Sequence, residues 1–133
     1  MTRWAAGFFA FGAFAGLVAV GLEAYAAHGL VGSVPDLPRA EHLFGQGTSF
    51  QLAHALALLA VALGVDRVAG RSRTGFCAGG VLIGVGLVVF PGALYVAALR
   101  GGHAVLAPFG GTAAMLGWLS LGIGGLLAFR RAG

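Results

Sequence analysis

The sequence has little charge: aspartate, glutamate, lysine and arginine together make up 9% of its 133 residues. A soluble domain has about 25% charged residues. This chain has too few charged residues to form a water-facing surface, so we expect a lipid bilayer to surround most of it. Lysine is absent, and the eight basic residues are arginines that lie in short gaps between apolar runs. Because they form no basic patch, no nucleic-acid partner is expected.

Cysteine is nearly absent as well. Cys77 is the single cysteine, which excludes an intramolecular disulfide and a zinc site built from several thiolates. The motifs of common enzymes are also missing: no glycine-rich loop follows a strand pattern, no lysine is available for a phosphate-binding loop, and no serine has an adjacent acid–base pair. We therefore expect no cofactor and no enzymatic activity.

The sequence does contain four long apolar stretches. A membrane helix needs about 20 mostly apolar residues, and the candidates are residues 4–27, 48–65, 76–99 and 108–129. Their continuous apolar character favours helices over the alternating strands of a barrel. The first stretch is longer than the apolar part of a signal peptide, so a retained helix is expected. The sequence predicts a single domain, 1–133: an all-α integral membrane four-helix bundle with short loops.

The arginines predict the orientation of these spans. One side of the membrane receives both termini and the loop between the second and third spans. Six arginines fall on that side (Arg3, Arg67, Arg71, Arg73, Arg130 and Arg131), against Arg39 and Arg100 on the other. By the positive-inside rule, both termini are expected in the cytoplasm of a cell with this protein in its inner (plasma) membrane. In a eukaryote, the mitochondrial inner membrane is the expected place.

The first outer loop, residues 28–47, has a helix start signal of its own. Asp36 is a suitable N-cap, and Pro38 would lie in the first helical turn. These residues favour a short helix on the membrane surface, ended by Gly45 and Gly47. A simple connector is the alternative.

The 25 glycines are informative about helix packing. Helices in lipid associate mainly through close packing of small residues, often spaced four apart. Such pairs occur at Gly12 and Gly16, at Gly80 and Gly84, and at Ala113 and Gly117. They favour a tight bundle, within one chain or between copies. The predicted packing glycines are Gly12, Gly16, Gly80, Gly84, Gly110, Gly111 and Gly117. Pro91 is expected to kink the third span for packing reasons.

Polar side chains within the spans fall near their outer ends: Glu23, His28, Gln51, His54 and Tyr95. Ionisable groups at membrane depth usually face the bundle interior and have a partner. We predict that Glu23 and His54 point toward each other, with Gln51 and Tyr95 nearby. Three roles remain open: a hydrogen-bonded group that sets helix register, a contact site for a partner protein or lipid head group, or a metal or proton site. The metal candidates are Glu23, His28 and His54, although metal sites normally have three or four ligands.

Four short segments occur in a familiar order: "AAHGL" at 26–30, "FQLAHALALL" at 50–59, "FPGALYVAAL" at 90–99 and "APFGGTAAMLGW" at 107–118. With them the chain resembles the small four-helix membrane family of unknown function that includes bacterial YgdD and a eukaryotic transmembrane-protein relative. The resemblance implies four spans and membrane residence, and it implies no particular activity.

The resemblance also singles out residues. His28 with Gly29, Gln51 with His54, Gly92 with Tyr95, and Pro108, Gly110, Gly111 and Trp118 match its motifs. Glu23 departs from the pattern, which has a small residue there, and Ala107 and Pro91 depart too. The resemblance therefore implies that His28, His54 and Tyr95 are better candidates for a shared site than Glu23.

Two functions remain as expectations. The first is a non-enzymatic accessory or structural subunit, which associates with itself or joins a larger membrane complex. The alternative is a small transporter, or an ion- or metal-handling membrane protein, that uses the polar cluster.

Overall fold

A computed structural model describes the backbone of residues 1–132 and the side chains of residues 1–130. Four helices make up its regular structure: α1 (Arg3–His28), α2 (Leu37–Val65), α3 (Gly70–Arg100) and α4 (Ala107–Ala132). Each is long and apolar enough to cross a membrane. The predicted all-α fold with four spans is therefore confirmed, and only Arg131 among the counted arginines has its side chain outside the described part.

The predicted surface helix is wrong as a separate element. The Asp36 carboxylate does accept a 3.1 Å hydrogen bond from the Arg39 backbone N–H, and Pro38 does lie in the first turn. However, α2 then continues without a break through both glycines to Val65. The reason is burial, because Phe44 packs in a buried cluster with Leu30 instead of lying on the surface.

The helices lie in a row in chain order. α1 packs on α2, α2 on α3, and α3 on α4. In the part of the chain that the structure describes, the backbone of α4 does not come near that of α1 or α2, and α1 touches α3 at only a few points. The central pair is therefore α2 and α3, while α1 and α4 form the two edges of the row.

Four predicted glycines lie where α1 meets its neighbours, three of them in close contact. A Cβ atom at Gly12 would lie 2.9 Å from the carbonyl oxygen of Ala55 on α2, so the two backbones are nearly in contact. Gly80 of α3 makes room for the ring of Phe8, which would lie 2.6 Å from a Cβ added at Gly80. A Cβ added at Gly84 would lie 3.3 Å from the ring of Phe11. Gly16 is looser, at 4.0 Å from the side chain of Ala55.

The α3–α4 contact is also formed along glycines. An added Cβ would lie 2.4 Å from the backbone nitrogen of Phe90 at Gly110, and 2.7 Å from Ile83 at Gly117. Gly111 is in ordinary contact, at 3.7 Å from the Phe90 ring. Four further glycines at this contact were not predicted: Gly75, Gly79 and Gly86 of α3, and Gly124 of α4. Pro91 is buried inside α3, which stays a single helix.

Hydrogen bonds outside the spans join the helix ends. At the end that carries the N-terminus, the Thr2 hydroxyl and backbone N–H donate to the Asp66 carboxylate at 2.5 and 2.8 Å. Arg73 lies 3.9 Å from the same carboxylate. The hydrogen bonds from Thr2 hold the pKa of Asp66 below its ordinary value of 3.8. At the opposite end of the protein the Arg39 guanidinium donates to the carbonyl oxygen of Gly102.

Candidate functional site

Gln51 is the centre of the polar groups between the helices. Its side chain is buried at the middle of α2, where a lone amide would be costly in lipid. The amide nitrogen donates a 2.9 Å hydrogen bond to the carbonyl oxygen of Ala15 on α1. The amide oxygen accepts a 2.8 Å bond from the Tyr95 hydroxyl on α3. One side chain thus connects three helices.

Tyr95 reaches Gln51 because α2 has no side chain at Gly47. A Cβ atom there would lie 2.5 Å from the edge of the Tyr95 ring, so the ring rests on the bare backbone of α2. The Phe44 ring packs against it with centroids 5.0 Å apart. These two contacts hold the ring where its hydroxyl reaches the amide oxygen of Gln51.

Glu23 lies outside this set. Its carboxylate accepts a hydrogen bond from the hydroxyl of Thr48, which is itself buried on α2. The same hydroxyl oxygen lies 3.0 Å from the carbonyl oxygen of Phe44. The rest of Glu23 is exposed in the groove between α1 and α2. The carboxylate is therefore open to the surroundings and is not enclosed within the protein.

His54 faces α4. Its Nε2 accepts a 3.2 Å hydrogen bond from the indole N–H of Trp118, and its Nδ1 lies 2.7 Å from the carbonyl oxygen of Phe50. Because an indole can only donate, Nε2 carries no proton, and Nδ1–H is the donor to Phe50. The imidazole also stacks on the Phe50 ring at a centroid distance of 3.8 Å. Both ring nitrogens are occupied in this neutral tautomer.

The structure brings together only some of the predicted residues. Gln51 and Tyr95 are bonded to each other. The expected contact between Glu23 and His54 is wrong: Glu23 bonds Thr48 on the α1 side of α2, whereas His54 bonds Trp118 on the α4 side. The physical reason is the helical period, because positions 48 and 54 are six residues apart and point in different directions.

The suggested metal ligands are also separate. His28 is the exposed last residue of α1, away from the imidazole of His54. Across the described side chains, no three of the histidine, cysteine, aspartate and glutamate residues are close enough to hold a metal ion. Glu23, His28 and His54 therefore do not form a common site.

Two participants were missed by the sequence reasoning, Thr48 and Trp118. Thr48 precedes Gln51 by three residues, a spacing that places both on neighbouring parts of one helix face. That spacing was an available signal. The distance from Trp118 to His54 along the chain is 64 residues, and only the packing of α4 brings them together.

Comparison with known proteins identifies the family. A model of the family "Protein of unknown function (DUF423)" matches residues 22–111, well over half of the chain. The chain belongs to this family. The DUF423 match contains Glu23, His28, Gln51, His54 and Tyr95 and ends before Trp118. It agrees with the resemblance to a small membrane family of unknown function.

Relatives support the same assignment. The chain is 33% identical over 116 residues to the UPF0382 membrane protein YwdK of Bacillus subtilis, covering 86% of this chain and 91% of that protein. A UPF0382 membrane protein of Schizosaccharomyces pombe is 34% identical over 116 residues, covering 82% and 92%. One from Haemophilus influenzae is 32% identical over 117 residues, covering 84% and 87%. No solved structure matches. With its four spans, this DUF423 chain is an integral membrane protein.

Proposed function

We propose that this protein is a non-enzymatic structural subunit that associates with further copies of itself in the membrane through α1. The observation that carries the proposal is the row of helices, in which each edge helix has one main neighbour. An edge helix has an outer face, the side that points away from the other helices, and either lipid or another protein must cover it. The two edges differ in their side chains, and that difference favours α1.

The outer face of α1 is lined by small residues. Ala6, Ala10, Ala13, Gly21 and Ala24 are exposed there, beside the large exposed side chains of Phe14, Leu17 and Val20. Small residues let a second backbone approach closely, and such contacts are the main source of helix association in lipid. A leucine from one copy would find space among the alanines of the other.

The outer face of α4 is different. It carries large exposed side chains, among them Met115, Leu119, Ile123 and Leu126. These keep a second helix at a distance and fit the irregular surface of acyl chains better. Lipid is therefore the expected neighbour of α4.

The internal polar groups support a structural role. Gln51, Tyr95 and His54 each use their polar atoms on hydrogen bonds within the chain. Such bonds set the register of neighbouring helices. They leave little capacity for chemistry on a substrate, which is why we propose a subunit without enzymatic activity.

Leucine substitutions at two open glycines test the proposal. Gly21 on α1 and Gly122 on α4 have no atom within 4 Å of an added Cβ, so both variants are expected to keep the fold. In lipid nanodiscs or a mild detergent, Gly21→Leu should weaken self-association by about tenfold, and Gly122→Leu should leave it unchanged. A wild-type protein that is monomeric at every concentration, or equal effects of the two variants, would contradict the proposal.

The second candidate is a small transporter or ion-handling protein. The groove that exposes Glu23 between α1 and α2 is the specific feature that favours it. Solute or cation flux into proteoliposomes, compared between the wild type and Glu23→Gln, tests it. Flux that is equal in both would remove Glu23 from any transport path.

We also propose the bacterial plasma membrane as the location, with both termini in the cytoplasm. The bonds between Thr2 and Asp66 join the N-terminus to the α2–α3 loop at one end of the protein. Arg67, Arg71 and Arg73 lie at that same end, which the positive-inside rule assigns to the cytoplasm. A reporter that is active only outside the cell can be fused to the C-terminus to test this orientation. Activity of that fusion would contradict the proposed orientation. In a eukaryotic cell, the corresponding place is the mitochondrial inner membrane.

A further inference from the structure

The groove between α1 and α2 combines a carboxylate with apolar walls. Its volume is about 560 Å³, and it opens on the side of the protein. Val20 and Leu52 form part of its walls, while Glu23, Thr48 and Ser49 supply its polar atoms. An occupant that fits such a groove has an apolar body and a polar head.

Glu23 has no cationic partner among the side chains that the structure describes. Among the described side chains, the ion pair is between Arg73 and Asp66, at the opposite end of the protein. Ionisable groups at membrane depth are usually paired. Because α1 is about 39 Å long and the hydrocarbon about 30 Å thick, Glu23, at about 7.5 Å from the helix end, lies close to the hydrocarbon boundary. This is a depth that a lipid head group can reach.

We propose that the groove binds a membrane lipid with a protonated primary amine in its head group, of the ethanolamine type. The ammonium group would supply the cationic partner that the Glu23 carboxylate lacks. The acyl chains would lie against Val20 and Leu52. This inference goes beyond the proposed self-association and does not depend on it, since of the small residues assigned to that contact only Ala24 also lines the groove.

The hydrogen-bonding atoms favour a primary amine. An ammonium group has three N–H donors, and the groove offers the Glu23 carboxylate with the hydroxyl oxygens of Thr48 and Ser49 as acceptors. Thr48 has one hydroxyl proton for three acceptors, the Glu23 carboxylate and the carbonyl oxygens of Phe44 and Gly45. A bound ammonium would satisfy the carboxylate and leave the proton of Thr48 for Phe44. A choline head group has no N–H to donate, and an anionic head group would be repelled.

Lipid retention measured by native mass spectrometry tests this site. The protein is equilibrated with equimolar phosphatidylethanolamine, phosphatidylcholine and phosphatidylglycerol before transfer to detergent. We expect the wild type to retain the ethanolamine lipid over the choline lipid by about fivefold, a ratio within reach of one hydrogen bond from the ammonium to a charged acceptor. Glu23→Gln should abolish the preference. Glu41→Gln, the same change at an exposed glutamate outside the groove, should keep it.

Further outcomes decide against the proposal. Equal retention of the ethanolamine and choline lipids by the wild type would overturn it, as would an unchanged preference in Glu23→Gln. Loss of self-association in Glu23→Gln without any change in lipid preference would assign the groove to a second copy of the chain. If Glu23→Gln does not fold, Leu52→Trp blocks the groove while the carboxylate stays. A preference that survives in this variant would equally exclude the site.

Discussion

The hydroxyl of Tyr95 donates a 2.8 Å hydrogen bond to the side-chain oxygen of Gln51, and the nitrogen of the same amide donates to α1. This pair ties the two central helices to one edge helix at a point where water is scarce. Its energetic value can be measured, because each partner can be replaced by an apolar residue of similar size.

A double-mutant cycle with Tyr95→Phe and Gln51→Leu should show a favourable coupling of about 0.6 kcal/mol, with about 1.7 kcal/mol as the upper end for membrane proteins. Gln51→Leu should be the more destabilising single variant, because it removes two hydrogen bonds and leaves the Tyr95 hydroxyl unpaired. Reversible unfolding in mixed micelles supplies the free energies. Additive effects of the two substitutions would show that this bond does not stabilise the fold.

The substitution Gly110→Ala should disturb the packing of α4 on α3. The added Cβ would lie 2.4 Å from the backbone nitrogen of Phe90, which cannot move aside as a side chain could. We expect a loss of about 1–3 kcal/mol in the free energy of unfolding, the usual cost of overpacking.

The neighbouring Gly111→Ala is the matched control for this change. Its Cβ would be in ordinary contact, 3.7 Å from the Phe90 ring. Alanine also favours helix over glycine by up to about 1 kcal/mol, so this variant should be neutral or stabilised in the same unfolding assay. Equal stability of the two variants would mean that α4 does not pack on α3 as described.

Replacing His54 with leucine should release the indole of Trp118. The N–H would lose its acceptor, so its proton resonance is expected to move upfield in NMR spectra of the ¹⁵N-tryptophan-labelled protein. The sequence has only two tryptophans, and the signal of Trp4, at the far end of α1, serves as an internal control. A Trp118 signal that does not move would exclude the bond between α2 and α4.

Thr2→Val should raise the pKa of Asp66 toward 3.8, because the Thr2 side chain makes the largest contribution to lowering it. A carboxyl group with a depressed pKa in the folded state stabilises that state above its unfolded pKa. This stabilisation disappears as the pH falls through the folded value. The variant should therefore lose less stability than the wild type when the pH is lowered below 3.8.

Carboxyl ¹³C resonances measure this titration directly. The chain has two aspartates, and Asp36, near the opposite end, provides a reference signal. Thr2→Ser retains the hydroxyl donor and should titrate like the wild type. An Asp66 curve that is the same in all three proteins would rule out the hydrogen bond from Thr2.

Much of the fold could be predicted from local features. The four apolar runs predicted the four helices, since a backbone in lipid has to satisfy its hydrogen bonds within each segment. Asp36 and Pro38 correctly indicated a helix start. The same reasoning ended that helix too early, at Gly45 and Gly47, because it could not foresee that Phe44 would be buried beside Leu30.

The candidate site was less predictable. Depth along each helix can be calculated from the sequence, and it correctly grouped Gln51 with Tyr95. The direction of a side chain around its helix depends on which neighbour packs on which face. For that reason the expected approach of Glu23 to His54 failed, and Trp118 was not recognised as the partner of His54.

The sequence by itself determined that this chain is a membrane protein with four spanning helices. Its shortage of charged residues requires a lipid environment, and its long apolar runs satisfy their backbone hydrogen bonds in lipid only as helices. Only the tertiary structure decided that the helices form a row, that Gln51 bonds two neighbours at once, and that Glu23 opens into a groove instead of the interior. Those outcomes depend on glycines that let a neighbouring backbone or ring approach closely, as Gly12 does for Ala55 and Gly47 for Tyr95. Such contacts are set by packing between segments and not by any one segment alone.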